Sequence, residues 1–282
     1  MLLHRHPGLW RPQSKPPGGF AAWELDPSAK LGDGLGMAMI PDGPQGIGML
    51  LDYACRDRTY TYIGQQNFGV GQYGAWFDSD YGASNQIQFS PAIGANVGQS
   101  GQAFSFSFLT LTNGTGNGDY GNAIISASGT GTEYAMVHEA GSALIIGNDS
   151  AGTGVASTVI FMANLTGWQR LGATVNGTAV RFFLNGQFTD AQTLPAPLVT
   201  GGSGAPLPPP NSILGSTIPP GFTSWGWPVA DLFFWNRTLH DNEMATNFQF
   251  PYRSVLRPRF PESPFFASGR HPGGLLTTGV GP

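Results

Sequence analysis

Apolar and polar residues alternate strictly over Phe104-Ser105-Phe106-Ser107-Phe108, which puts three phenylalanines on one face of a strand and two serines on the other. Shorter apolar runs at Ala123-Ile124-Ile125-Ser126, Glu133-Tyr134-Ala135-Met136-Val137 and Ala143-Leu144-Ile145-Ile146 are separated by Gly, Ser and Thr, and predict further strands of an antiparallel meander. Downstream, Thr174-Val175-Asn176-Gly177 is followed by Val180-Arg181-Phe182-Phe183-Leu184-Asn185-Gly186. Two Asn-Gly pairs between apolar-rich runs are a strong hairpin signal, because Asn and Gly accept the positive backbone angles of a two-residue turn. Ala230-Asp231-Leu232-Phe233-Phe234-Trp235 predicts a closing strand. Asp241 to Phe248 is the only segment predicted as a helix; His240 stands at its N-cap place and Asp241 is the alternative cap. The pattern predicts an all-β protein, an antiparallel β-sandwich.

Composition agrees. Charged residues make up 11% of the 282 residues, against roughly 25% in ordinary soluble proteins. The 42 glycines and 23 prolines supply turns and stiff loops, while 19 Phe, 7 Trp and 8 Tyr supply enough apolar area for a core and exclude a disordered chain. The Pro/Gly-rich stretch 201–221 predicts a long loop. We divide the chain into an extended arm at 1–20, a sandwich at 21–250 and a second extended arm at 251–282.

Net charge is −4, too small to suggest a nucleic-acid partner. Its distribution is uneven: no Lys or Arg lies between Arg58 and Arg170, whereas Arg5, Arg11 and Lys15 mark one arm and Arg253, Arg257 and Arg259 the other. Basic arms on an acidic body suit docking onto an acidic partner. Pro258 between Arg257 and Arg259 would present both guanidinium groups from extended backbone. Cys55 is the only cysteine, so no intrachain disulfide is available. The opening Met1-Leu2-Leu3-His4-Arg5-His6-Pro7 lacks the apolar core of a signal peptide, and no apolar run reaches the roughly 18 residues of a membrane span.

The run from Trp168 through the two Asn-Gly turns to Asn236-Arg237-Thr238-Leu239 and Glu243 resembles the laminin-G-like or concanavalin-A-like jelly-roll family. The stretch Tyr73 to Phe89 resembles that family's strand–turn–strand hallmark. Trp10-Arg11-Pro12-Gln13-Ser14, Leu25-Asp26-Pro27-Ser28 and the Arg257-Pro258 tail resemble segments of tailed-bacteriophage virion proteins that carry such a sandwich. The resemblance implies a non-enzymatic virion structural protein, folded in the host cytoplasm and displayed on the virion surface as a capsid decoration or head fibre. Its partner would be the major capsid protein or another virion protein, with a homotrimer fitting that role. The alternative is a carbohydrate-binding adhesion module of a tail fibre or host-surface protein, with cell-surface glycans as partners.

Jelly-roll relatives include glycoside hydrolases, of which retaining ones need two carboxylates about 5–5.5 Å apart. The nearest match, Glu24-Leu25-Asp26, is followed by Pro27 and Ser28 with no second Glu. The five histidines are scattered and Cys55 has no His-plus-acid partner in sequence, so no catalytic residue or cofactor is expected. Asp78, Asp80 and Asn85 offer oxygen ligands for Ca²⁺, with a hydrogen-bonded turn as the alternative. Phe222, Trp225 and Trp227 beside the Pro-rich loop are a candidate glycan platform, since aromatic rings stack on the apolar face of a pyranose; the alternative is packing into the sandwich. Five Asn-x-Ser/Thr sequons, at Asn113, Asn148, Asn164, Asn176 and Asn236, read as turn and strand chemistry.

Overall fold

A computed structural model describes residues 23–26, 28–42, 49–64, 66–79, 86–93, 103–113, 121–127, 134–140, 143–147, 154–195, 212–213 and 222–258. Nearly all of them belong to two antiparallel sheets, with strands numbered here in chain order. The first sheet runs β15 (Gln187–Thr193), β14 (Ala179–Leu184), β13 (Thr166–Asn176), β8 (Ala103–Asn113), β18 (Val229–Trp235), β2 (Leu35–Asp42) and β3 (Met49–Asp52). At the start of β18, Val229 also pairs with Phe77 of β6 (Gly74–Ser79), which forms a hairpin with β5 (Gln66–Gly71). The second sheet runs β12 (Val155–Phe161), β11 (Ala143–Ile146), β10 (Tyr134–Ala140), β9 (Gly121–Ala127), β16 (Ser212–Ile213), β7 (Gln86–Ser90) and β4 (Thr59–Ile63); β17 (Phe222–Ser224) lies parallel to β9.

The alternation at 104–108 does what period-two patterning requires. Phe104, Phe106 and Phe108 enter the core between the sheets with Ile87, Ile125, Leu144, Leu171, Val175 and Phe182. Each such buried side chain contributes about 1.5–3 kcal/mol relative to an exposed one. Ser105 and Ser107, on the opposite face, are also buried, because the first sheet is covered on both sides. A second core forms there from Trp23, Leu31, Ala38, Tyr53, Phe183, Phe233, Trp235, Met244, Tyr252 and Val255. This explains why β18 is buried at every position: Leu232 and Phe234 face one core, Phe233 and Trp235 the other.

Two features build the second core. Helix α1 (Asp241–Gln249) packs against β13, where Met244 lies over Gly172, and against the β14–β15 turn, where Phe248 lies over Gly186. The strand pair β1 (Trp23–Leu25) and β19 (Leu256–Pro258) closes beside it. The expected arm boundary at residue 250 is therefore corrected: Tyr252, Val255 and Leu256 are buried, and 251–258 belong to the body because their apolar side chains complete this core. The helix starts at the expected place. His240 is the N-cap residue, but its backbone N–H donates to Glu243 Oε2 at 2.9 Å, so a side chain from within the first turn performs the capping. Glu243 in turn accepts from both terminal nitrogens of Arg237 at 3.0 Å, while Arg237 donates to the carbonyls of Lys30 and Asp33. Burial pushes the Glu243 carboxyl up, but Arg237, the His240 N–H and Lys30 outweigh it and hold the group below its ordinary value.

Both hairpins are present. In the second, Leu184 pairs with Gln187 around Asn185 (φ 51°) and Gly186 (φ 75°), two successive left-handed residues as a type I′ turn demands. Any Cβ at Gly186 would lie 2.5 Å from Phe248 Cβ, so this glycine also lets the helix approach. In the first, Asn176 pairs with Ala179, so the turn is centred on Gly177-Thr178, one residue later than the Asn-Gly pair.

Opposite seams of the sandwich are closed by carboxylates. On one side Asp190 of β15 accepts from the Thr158 N–H at 2.8 Å and the Ser157 hydroxyl at 2.7 Å of β12. On the other, in the crossover from β3 to β4, Asp52 accepts from the N–H groups of Ala38, Ala54 and Cys55 and pairs with Arg58. Arg58 also donates to the carbonyls of Pro91 and Gly36, which ties both sheets to this crossover.

Candidate functional site

The residues singled out in the sequence do not come together. Trp225 is fully buried and Trp227 is 4% exposed; both lie in the core between the sheets. Their rings meet edge to face at 5.0 Å, Trp225 packs on Phe108, and its indole N–H donates to Thr110 Oγ1 at 3.3 Å. The expectation of a sugar platform there is corrected: both rings fill the core between the sheets, where Phe108 and Thr110 hold Trp225. Phe222 lies in β17, and its side chain is outside the described ones.

Asp78 stands on β6 with its Oδ1 accepting from Asn67 Nδ2 of β5 at 2.8 Å, while Asp80 and Asn85 lie outside the described residues. Of the expected docking residues, Arg5, Arg11, Lys15 and Arg259 also lie outside them. Arg253 is exposed on the turn before β19. Arg257 serves within the chain, donating from Nε to Glu24 Oε1 at 2.9 Å, with Nη2 at 2.8 Å from the same oxygen, and so fastens β19 to β1.

A charged cluster is buried on the outer face of the first sheet. Asp231 is fully buried; its Oδ2 accepts from Arg170 Nη2 and from the Tyr252 hydroxyl, each at 2.7 Å. Arg170 also donates to Ser107 Oγ and sits over the Phe233 ring. Burial, then the neighbouring Asp231 charge, pushes the Tyr252 hydroxyl well above its ordinary value, so it stays a donor. Each member is buried away from any substrate, and the cluster positions the C-terminal segment on the sheet.

One surface combines aromatic and polar chemistry, on the outward faces of β13 and of the β5–β6 hairpin. On β13, residues 171, 173 and 175 face the core, so Trp168 projects outward with Arg170. On β6, Phe77 faces the core, so Trp76 and Asp78 project outward. Opposite Trp76 is Gly69, and a Cβ there would lie 2.2 Å from Trp76 Cζ2: the indole rests directly on the glycine backbone. Gly71 sits between the two indoles, its Cβ position 3.4 Å from atoms of both Trp168 and Trp76. Tyr73, at the hairpin turn, meets Trp168 edge to face at 5.6 Å. All three rings are half-buried, seated on the protein with the remainder in solvent. Asp78 and Asn67 form the next outward-facing cross-strand pair of the same hairpin, two residues along from Trp76 and Gly69. Sequence reading missed this shelf, although Gly69-x-Gly71 followed by Trp76 in a hairpin was a usable signal: bare backbone opposite an indole makes a seat for it.

No protein-family model matches the chain, and no curated protein matches it. The solved structures define its class as a β-sandwich shared with toxin binding domains. It is similar to the binding domain of botulinum neurotoxin DC, solved in complex with "SialylT", at 13% identity and TM-score 0.55, covering 78% of this chain and 52% of that one. A structure titled for cell entry of botulinum neurotoxin type C, "dependent upon interaction with two ganglioside molecules", gives 13% identity, TM-score 0.56 and the same coverages of 78% and 52%. The binding domain of Paraclostridial Mosquitocidal Protein 1 gives 10% identity and TM-score 0.55, again over 78% of this chain and 52% of the other. At such identities the likeness is one of fold, and the chain spans about half the length of each neighbour.

Proposed function

We propose that this chain is a non-enzymatic, lectin-like recognition module whose Tyr73–Trp76–Trp168 shelf binds carbohydrate. The observation that carries it is the shelf itself: two half-buried indoles on strands and the Tyr73 ring at the hairpin turn, next to a carboxylate–amide pair able to exchange hydrogen bonds with sugar hydroxyls. The structural neighbours, a toxin binding domain and a toxin whose cell entry depends on two ganglioside molecules, support a binding role over a catalytic one. The resemblance of the N- and C-terminal motifs to phage virion proteins supports display on a tailed-bacteriophage particle. The anchoring candidates there are Arg5, Arg11, Lys15, Arg253 and Arg259.

Glycan-array binding of the intact chain and of Trp168→Ala and Trp76→Ala tests the recognition role. The wild type is expected to retain a defined set of glycans and each variant to lose them by about tenfold or more. Equal retention by folded variants refutes the shelf. Display is tested separately by the copy number of the chain in purified particles relative to the major capsid protein. Hundreds of copies fit capsid decoration, a handful fits a tail fibre, and none refutes the virion reading.

A further inference from the structure

The two Asn-Gly pairs of the first sheet stand in opposite surroundings, and that difference decides which of them solvent can alter. We propose that Asn176 is a modification site, where the side-chain amide is lost to water through attack by the Gly177 nitrogen, and that the fold holds Asn185 back from the same reaction. In this step the Gly177 N–H gives its proton to solvent base, and the nitrogen forms a bond to Asn176 Cγ. The Cγ–Nδ2 bond breaks, ammonia leaves with a proton taken from solvent, and a cyclic imide closes on the backbone. Water then opens the ring at either carbonyl, giving aspartate or its isoaspartyl isomer. Water enters and ammonia leaves; nothing is oxidised or reduced. A glycine in second place suits the attack, because it has no Cβ to crowd the nitrogen.

Asn176 ends β13 as an exposed residue, opposite Ala103 of β8 and Ala179 of β14. Among the described residues its side chain has no hydrogen-bond partner. Gly177 follows at φ 60°, and a Cβ built there would meet no atom within 4 Å, so the turn is open on that flank. Asn185 has the same successor in a closed setting. Its Oδ1 accepts from the Arg170 N–H at 2.9 Å, and its Nδ2 donates to Gln169 Oε1 at 2.7 Å. Its own N–H donates to the Arg170 carbonyl at 2.8 Å. Turning this amide onto the next nitrogen breaks its bonds to β13. Gly186 is buried, with Phe248 Cβ 2.5 Å from its Cβ position, so helix α1 shuts the flank that is open at Gly177. Asn185 therefore waits on a local opening, whereas Asn176 reacts from the folded state. The product sets a carboxylate, and in the isoaspartyl form an extra backbone methylene, at the last residue of β13; Trp168 stands near the other end of that strand.

The test is a time course of the full-length protein at mildly alkaline pH, once folded, as circular dichroism verifies, and once unfolded in guanidinium chloride. Samples are digested with trypsin and read by mass spectrometry, with a zero-time sample as baseline. Cleavage after Arg170, Arg181 and Arg237 leaves Asn176 as the only asparagine of 171–181 and puts Asn185 in 182–237. Asn113 and Asn117, which also precede glycines, fall on 59–170. In the folded protein Asn176 is expected to convert about tenfold or more faster than Asn185, and unfolding to bring the two rates within about twofold of each other. Asn176 converting no faster than Asn185 in the folded protein overturns the inference. So does a ratio that persists in guanidinium chloride, which would trace the difference to sequence rather than to the fold.

Discussion

Two tryptophan pairs set the terms of this fold. Trp225 and Trp227 meet at 5.0 Å inside the core, reached from a short segment between β17 and β18. Trp76 and Trp168 flank Gly71 on the outer face of the first sheet, half-exposed and reached from strands distant in sequence. Chemically the pairs are alike; what separates them is that the first points between the two sheets and the second away from them. The first pair holds the molecule together. The second is half-exposed and forms the shelf proposed above for recognition.

That contrast is broken most forcefully at its buried end. Trp225→Ala should cost about 4 kcal/mol, since it removes a fully buried indole and leaves a cavity beside Phe108 and Trp227. Denaturant unfolding would register it, and a loss under about 1 kcal/mol would mean the indole is not a core element. Arg170→Met, just inside the shelf, should cost about 3 kcal/mol because Asp231 stays fully buried with only Tyr252 as partner. A neutral result would mean that the pairing of Asp231 with Arg170 contributes little to the fold.

At the exposed end the expected stability effects shrink and the binding effects grow. Gly69→Ala places a Cβ 2.2 Å from Trp76, lifting the indole from its seat; about 1–2 kcal/mol of stability and most glycan retention should go with it. Trp168→Ala should cost about 1 kcal/mol or less in unfolding while abolishing retention, and a loss as large as that of Trp225→Ala would erase the contrast.

The smallest effect concerns the seam at Asp190. Burial pushes its carboxyl up, but the Thr158 N–H and the side chains of Ser157, Gln192 and Thr158 outweigh it and hold the group below its ordinary 3.8. A folded-state value below the unfolded one means the seam stabilises the protein above about pH 4 and loses that contribution as pH falls through the lowered value. Asp190→Asn should therefore flatten the acid limb of a melting-temperature-versus-pH profile and leave the glycan set unchanged.

The hairpins from β13 to β15 were legible in the sequence because turn chemistry is local: Asn185-Gly186 carries its own backbone preference wherever it sits. The helix over Asp241–Gln249 was legible for the same reason, although its capping by Glu243 depended on the Arg237 fork. The second core was not. Nothing local shows that Tyr252 will donate to Asp231 or that Leu256 will pair with Leu25, so 251–258 read as an arm. The glycan platform was misplaced for a related reason. A Trp-Gly-Trp stretch beside a proline-rich loop looks exposed, and only the packing of Trp225 on Phe108 and Thr110 of β8 shows that its rings point inward. The shelf that does reach solvent joins residues from β5, β6 and β13, whose proximity is fixed by the pairing of Val229 with both Phe77 and Thr110.

The most direct test is a titration of the indole N–H resonances of the isotopically labelled protein with the best-retained glycan of the array, each of the seven tryptophans assigned by single substitution. The account predicts that the Trp76 and Trp168 signals shift in a saturable way while those of Trp225, Trp227 and Trp235 stay fixed. Saturable shifts confined to Trp225 and Trp227, or binding that leaves Trp76 and Trp168 unmoved, would contradict it.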